Sequence, residues 1–126
     1  DESFNTVADL ESCAAGFHGV NVKLAKAGGP RAALEALEQA RSMGLKTMIG
    51  CMIESSVAIS GGLHLASLAD WIDLDGNLLV SNDPFVGLSV EGGRWSWKNR
   101  EGLAGLGVEW DLNGDPSSPW PSAAGR

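Results

Sequence analysis

Residues 71–77 read Trp-Ile-Asp-Leu-Asp-Gly-Asn, an apolar stretch that carries two acids one residue apart. If the segment is extended, successive side chains point to opposite faces. Ile72 and Leu74 then share one face and Asp73 and Asp75 the other. Residues 19–24, GVNVKL, alternate the same way: Val20, Val22 and Leu24 oppose Asn21 and Lys23. Residues 46–53, KTMIGCMI, form a continuous apolar run suited to a strand buried on both sides. Between these strands lie helical segments. Residues 31–43, RAALEALEQARSM, follow Pro30 at a first-turn position and stop at Gly44. Residues 57–69, VAISGGLHLASLA, follow a cap at Ser55 or Ser56, with Gly61 and Gly62 weakening the helix. An amphipathic helix over 6–15, TVADLESCAA, comes first, and the opening DES is read as the end of an earlier strand. Strand and helix alternate with short loops, which implies a parallel sheet. An open sheet has helices on both faces and would bury Lys23, Asp73 and Asp75 in apolar surroundings at high cost. A barrel places them in its interior, where the C-terminal mouth assembles active sites. The fold expected is α/β, part of a (βα)8 TIM barrel.

Beyond Gly76 the pattern changes. Residues 78–97 suggest a hairpin turning at Gly92 and Gly93, with Trp95 and Trp97 on one face in a packing role. Residues 98–126 are rich in loop formers and end in a Pro- and Ser-containing tail expected to be poorly ordered. The 126 residues, 44% hydrophobic, suffice for one compact domain. A net charge of -7 argues against nucleic acid or an anionic membrane surface as partner. No apolar run reaches the roughly 20 residues of a membrane span. The start lacks the basic and apolar regions of a signal peptide, so a cytoplasmic location is expected. Cys13 and Cys51 have no CxxC spacing and read as reduced thiols, with a single disulfide left open. The first residues look like the middle of a longer protein.

Each polar candidate has a structural alternative. Lys23 as a rim lysine reaching solvent is as good a reading as a catalytic one. Asp75 alone suits a cap on the DGN turn. Asp1 and Glu2 are by default a solvated end. His18 and His64 have no partner at metal-ligand spacing, Glu54 is a single acid at a rim, and neither cysteine has a neighbouring base.

Taken together, DES at 1–3, NVKLAKAGG at 21–29, IGCMIES at 49–55, the Asp-Leu-Asp of 73–75 and GLGVE at 105–109 resemble, in order, the C-terminal half of the barrel in the enolase superfamily, muconate-lactonizing subgroup. The last of the strand motifs is similar to that of dipeptide epimerases of the L-Ala-D/L-Glu type. That resemblance implies strands 5 to 8 of the barrel over 1–77, a hairpin returning toward a capping domain over 78–110, and a flexible tail over 111–126. It implies Mg2+, with Asp1 as one of three ligands, and Lys23 as an acid/base that moves the α-proton of a dipeptide. Asp73 and Asp75 are implied to grip the α-ammonium, and Cys51, Met52 and Ile53 to line the pocket, their inward or outward sense left open. The chemistry is coherent. An α-proton beside a carboxylate is too weakly acidic for a lysine unless a divalent cation offsets the developing charge. Homo-oligomers are expected of the intact protein. The other metal ligands, the opposing lysine and the first four strands of the family pattern are absent, so the chain alone is expected to be inactive. Muconate cycloisomerases, o-succinylbenzoate synthases and N-acylamino acid racemases share the pattern but act on substrates without a free ammonium, which the paired acids count against. A noncatalytic, truncated half-barrel is the alternative from a different class.

Overall fold

The computed structural model describes residues 2–98 and 105–111. A helix α1 (Leu10–Gly16) follows a 3-10 turn at Val7–Asp9, where the Asp9 carboxylate accepts hydrogen bonds from the backbone N–H of Thr6 (2.8 Å) and Asn5 (3.0 Å). Strand β1 (Gly19–Lys23) then leads into a one-turn helix α2 (Leu24–Ala27) and the main helix α3 (Pro30–Ser42). Pro30 takes the first helical position of α3, where no N–H partner is needed. Its buried residues Ala33, Ala36, Leu37 and Ala40 recur at i, i+3, i+4 and i+7, one apolar stripe. Two bonds close its end, Leu45 N–H to Ala40 O and Gly44 N–H to Arg41 O, each 3.0 Å, the paired pattern of a Schellman motif.

Strand β2 (Lys46–Gly50), helix α4 (Ser56–Leu63) and strand β3 (Trp71–Asp73) follow. The three strands are parallel in the order β1-β2-β3. Their buried residues Val20, Val22, Thr47 and Ile49 share one face and join Leu10, Leu37, Ile59 and Leu74 in the core under the helices. Beyond a 3-10 turn at Gly76–Leu79 come β4 (Phe85–Val86), β5 (Leu88–Glu91), β6 (Arg94–Trp97) and β7 (Glu109–Trp110). β5 and β6 form a hairpin around Gly92 and Gly93 that begins at Leu88 and not at residue 78 as expected, and β4 pairs antiparallel with β7.

Several boundaries differ from the sequence reading. Leu24 leaves the strand and starts α2 while staying buried. β2 ends at Gly50, so Cys51, Met52 and Ile53 lie in the loop after it. The helix expected over 57–69 ends at Leu63 and is followed by a separate 3-10 turn at Ala66–Leu68. The double glycine inside α4 has a packing reason: a Cβ on Gly62 would stand 2.9 Å from Leu74 Cδ2. No strand lies at residues 2–5. Both cysteines are free thiols, which closes the disulfide alternative. A short strand, β7, falls in the stretch read as loop. Asp1 and the tail beyond Asp111 lie outside the described residues. Among the described residues no helix is long and apolar enough to cross a membrane.

Candidate active site

Register places the site. Lys23 pairs with Gly50 and Gly50 with Asp73, so these three residues form one row across the C-terminal ends of β1, β2 and β3. Their neighbours Val22, Ile49 and Ile72 form the preceding row and point to the helix side. Lys23 and Asp73 therefore share the face opposite the helices. With adjacent strands about 4.8 Å apart, two strand spacings separate their backbones by about 9.6 Å. Between them stands a residue without a side chain. A Cβ on Gly50 would come 2.5 Å from Asn21 Oδ1, so the Asn21 carboxamide lies over β2 and forms the floor between Lys23 and Asp73. Lys23 is half-buried and Asp73 exposed.

Asp75 is not on the strand. It sits at φ -104°, ψ 2°, heading the 3-10 turn at Gly76–Leu79, and its carbonyl accepts the N–H of Leu78 at 2.9 Å. The two acids thus leave the sheet in succession, Asp73 from its last paired position and Asp75 from the loop above it, both exposed. Strict alternation holds through Leu74, which is buried against α4, and fails at Ile72 in one respect: it lies on the helix side but is 51% exposed because no described residue covers that edge.

The three residues expected at the pocket separate. Cys51 is half-buried, with the N–H groups of Gly76 and Asp75 directed at its sulfur, while Met52 and Ile53 are 49% and 70% exposed. Burial pushes the Cys51 thiol up, and the nearby carboxylates of Asp75 and Asp73 add to this against the two amides. It is a packed thiol that meets the Asp75 loop. Glu54 folds back to accept the Met52 N–H at 2.8 Å, a loop brace. Gly76 lies so close that a Cβ there would be 2.0 Å from Met52 O.

A cavity of about 690 Å³ borders Asp73 and Asp75 together with Leu63, Ile72, Leu78 and Trp95. Lys23 does not line it, and Leu63 and Ile72 belong to the helix side. It is the uncovered outer flank of β3 and not the space above the Lys23-Gly50-Asp73 row. Trp97 is fixed by its indole N–H, shared between Ser60 Oγ (2.9 Å) and Leu106 O (3.1 Å), with His64 edge-on at 5.2 Å. His64 Nδ1 is 2.8 Å from Ser60 O. Both rings dock the hairpin on α4.

Two polar clusters escaped the sequence reading. At the opposite, N-terminal end of the sheet, Asp70 accepts from Lys46 Nζ (2.8 Å) and from the Thr47 N–H (2.9 Å) and Oγ (3.2 Å). The hydrogen bond from Lys46 and then that from the Thr47 amide hold its carboxyl down at about 2. The other cluster joins Asp83, Ser56 and Asn77 above the β2 and β3 loops. The Asp-Pro-Phe of 83–85 signals a local turn, and Phe85 N–H does bond Asp83 Oδ1 at 3.1 Å. Nothing local signals the bond from Ser56, 27 positions away.

No protein-family model matches the chain. An L-Ala-D/L-amino acid epimerase of Pedosphaera parvula is 54% identical over 108 residues, 86% of this chain and 31% of that protein. Among solved structures, a dipeptide epimerase from Methylococcus capsulatus, complexed with Mg and the dipeptide L-Arg-D-Lys, superposes with a TM-score of 0.76 at 32% identity. The match covers 87% of this chain and 32% of that one. A substrate-liganded L-Ala-D/L-Glu epimerase from Bacillus subtilis gives a TM-score of 0.74 at 29% identity, over 86% and 31% of the two chains. The chain spans about a third of the length of these proteins, at their C-terminal part.

Proposed function

The chain has the C-terminal part of the enolase-superfamily fold, and from this we propose that it supplies one acid/base and the ammonium-binding acids of a dipeptide epimerase. The observation that carries the reading is the row Lys23-Gly50-Asp73, a potential base and a carboxylate on one face with a glycine between. A dipeptide lying over Gly50 meets Lys23 Nζ on one side of its α-carbon. The Nζ lone pair takes the α-proton, and the electron pair of the broken C–H bond spreads into the adjoining carboxyl group. Returning a proton on the other face inverts the centre. That requires a second acid/base, which this reading assigns to the part of the protein outside this chain. Asp73 and Asp75 accept hydrogen bonds from the α-ammonium, charge-assisted contacts that neutral N-acyl substrates cannot return. The exposed Met52 and Ile53 stand on the neighbouring loop as a wall for the substrate side chain.

Magnesium is part of the family pattern. Among the described residues no group of three His, Cys, Asp or Glu is placed to hold a metal ion, so these residues by themselves do not make the site. On this reading Asp1 gives one ligand and the others come from the rest of the protein.

The test is α-hydrogen exchange in D2O, followed by NMR, on the full-length protein with a panel of L,L- and L,D-dipeptides. Exchange that requires Mg2+ is expected, and Lys23→Ala should abolish epimerisation and remove exchange for the diastereomer whose α-proton Lys23 takes, leaving the other to the second acid/base. Undiminished exchange of both diastereomers in Lys23→Ala, or preference for N-acylated amino acids over dipeptides, would overturn the assignment.

A further inference from the structure

We propose that Asp83 is a positioning residue for the substrate site, holding the loop of Met52 and Ile53 at a fixed distance from the acids Asp73 and Asp75. Its carboxylate sits at the start of α4, where Oδ2 accepts the Ser56 N–H at 2.7 Å and the Ser56 hydroxyl at 2.5 Å. Oδ1 takes the Phe85 N–H at 3.1 Å, so both oxygens are engaged and the side chain is locked. A carboxylate at this helix end also meets the positive end of the helix dipole. Ser56 is buried and serves two partners, donating to Asp83 and accepting from Asn77 Nδ2 at 3.0 Å. Asn77 lies two residues after Asp75. Asn77 Oδ1, at the other end of the same amide, is buried without a hydrogen-bond donor among the described residues. The amide is thus oriented by the Ser56 bond.

The same two loops meet once more, where Gly76 packs on Met52 O and the Cys51 sulfur. Asp83, Ser56 and Asn77 form one end of a clamp and Gly76 with Cys51 the other. Between them on one strand's loop lie Met52 and Ile53, and on the next Asp75 directly precedes Gly76. Loosening the Asp83 end lets the Met52 wall move relative to the acids while leaving Lys23, on β1, in place. The consequence is a substrate-binding effect distinct from a loss of the proton-transfer step.

This inference rests on the assignment of Asp73 and Asp75 as ammonium ligands, and its test keeps the two separable. In the full-length protein, Asp83→Ala is expected to raise KM for the preferred dipeptide about 10-fold with kcat changed by less than about 3-fold, the signature of lost binding without lost chemistry. Asp83→Asn, which keeps acceptor oxygen at the Ser56 amide, is expected to recover most of that loss. Independently of activity, labelling of Cys51 by a thiol reagent, read by mass spectrometry of its peptide, should accelerate several-fold as the clamp opens. Ser56→Ala serves as the second variant should Asp83→Ala fail to fold. Unchanged KM in these variants, with or without faster labelling, overturns the positioning role, and a lowered melting temperature with unchanged KM leaves Asp83 a helix cap only. If the wild-type protein does not act on dipeptides, the functional assignment fails, and unchanged Cys51 labelling would separately sink the clamp.

Discussion

Among the described carboxylates, Asp73 differs from the others in standing at the last paired position of a parallel strand, level with a lysine two strands away. Removing its charge while keeping its shape, as in Asp73→Asn of the full-length protein, is expected to raise KM for dipeptides by about 10- to 100-fold, the worth of one hydrogen bond to a charged group. Mg2+ affinity measured by calorimetry should hardly change; its collapse would place Asp73 in the metal site instead. Asp70, at the other end of the same sheet, should affect stability and not catalysis. Its folded carboxyl titrates at about 2, below the ordinary 3.8. A group depressed on folding stabilises above its unfolded value and loses that contribution as the pH falls. The protein should therefore lose stability between about pH 4 and pH 2 through this residue, and Asp70→Asn should flatten that part of a denaturation series run from pH 6 to 2. Both acids were visible in the sequence, but only Asp73 declared a direction, because alternation fixes a face whereas Lys46 and Asp70 meet across 24 positions.

At the scale of elements, the parallel strands and α3 were legible because each carries its own local signal: alternation in GVNVKL, a helical apolar stripe after Pro30, a stop at Gly44. The ends of β2 and β3 were not. KTMIGCMI is apolar to its last residue, yet the strand stops at Gly50 because the chain must turn toward α4, and Asp75 leaves β3 for a 3-10 turn. What fixes those loops is tertiary contact, chiefly Gly76 against Met52 O and Asp83 on Ser56. A side chain on Gly76 would sit 2.0 Å from that carbonyl, a backbone atom that cannot swing aside. Gly76→Ala is expected to destabilise the protein by about 3 kcal/mol, the upper end for overpacking, seen as a lower denaturant midpoint. A neutral outcome would mean the β2 and β3 loops are not packed as described.

On the scale of the molecule, the three-stranded sheet has β1 and β3 as its outer strands, and among the described residues no further strand pairs with either. The β3 edge is the more apolar. Trp71 and Ile72 are 58% and 51% exposed, Leu78 and Leu79 are 57% and 67% exposed, and Ile72 and Leu78 border one cavity. An unpaired strand offers a row of free N–H and C=O groups, and exposed apolar side chains along it add a hydrophobic driving force to the pairing. Relatives about three times as long share this segment as their C-terminal part. In such proteins the surface that the 126-residue chain leaves bare has the remaining length of chain available to cover it. Expressed by itself, the chain is expected to associate through the β3 edge, eluting on size exclusion with a mass above its 13.1 kDa and growing with concentration. Replacing Ile72 by lysine, a charge on the exposed edge, should shift it toward the monomer without disturbing the buried Leu74. On the reading that places two of the three metal ligands and the second acid/base in the rest of the protein, the same isolated chain should neither bind Mg2+ tightly nor exchange the α-hydrogen of a dipeptide. A soluble monomer with epimerase turnover would refute both expectations at once, because it would require the edge to be satisfied and the second acid/base to be present within these 126 residues.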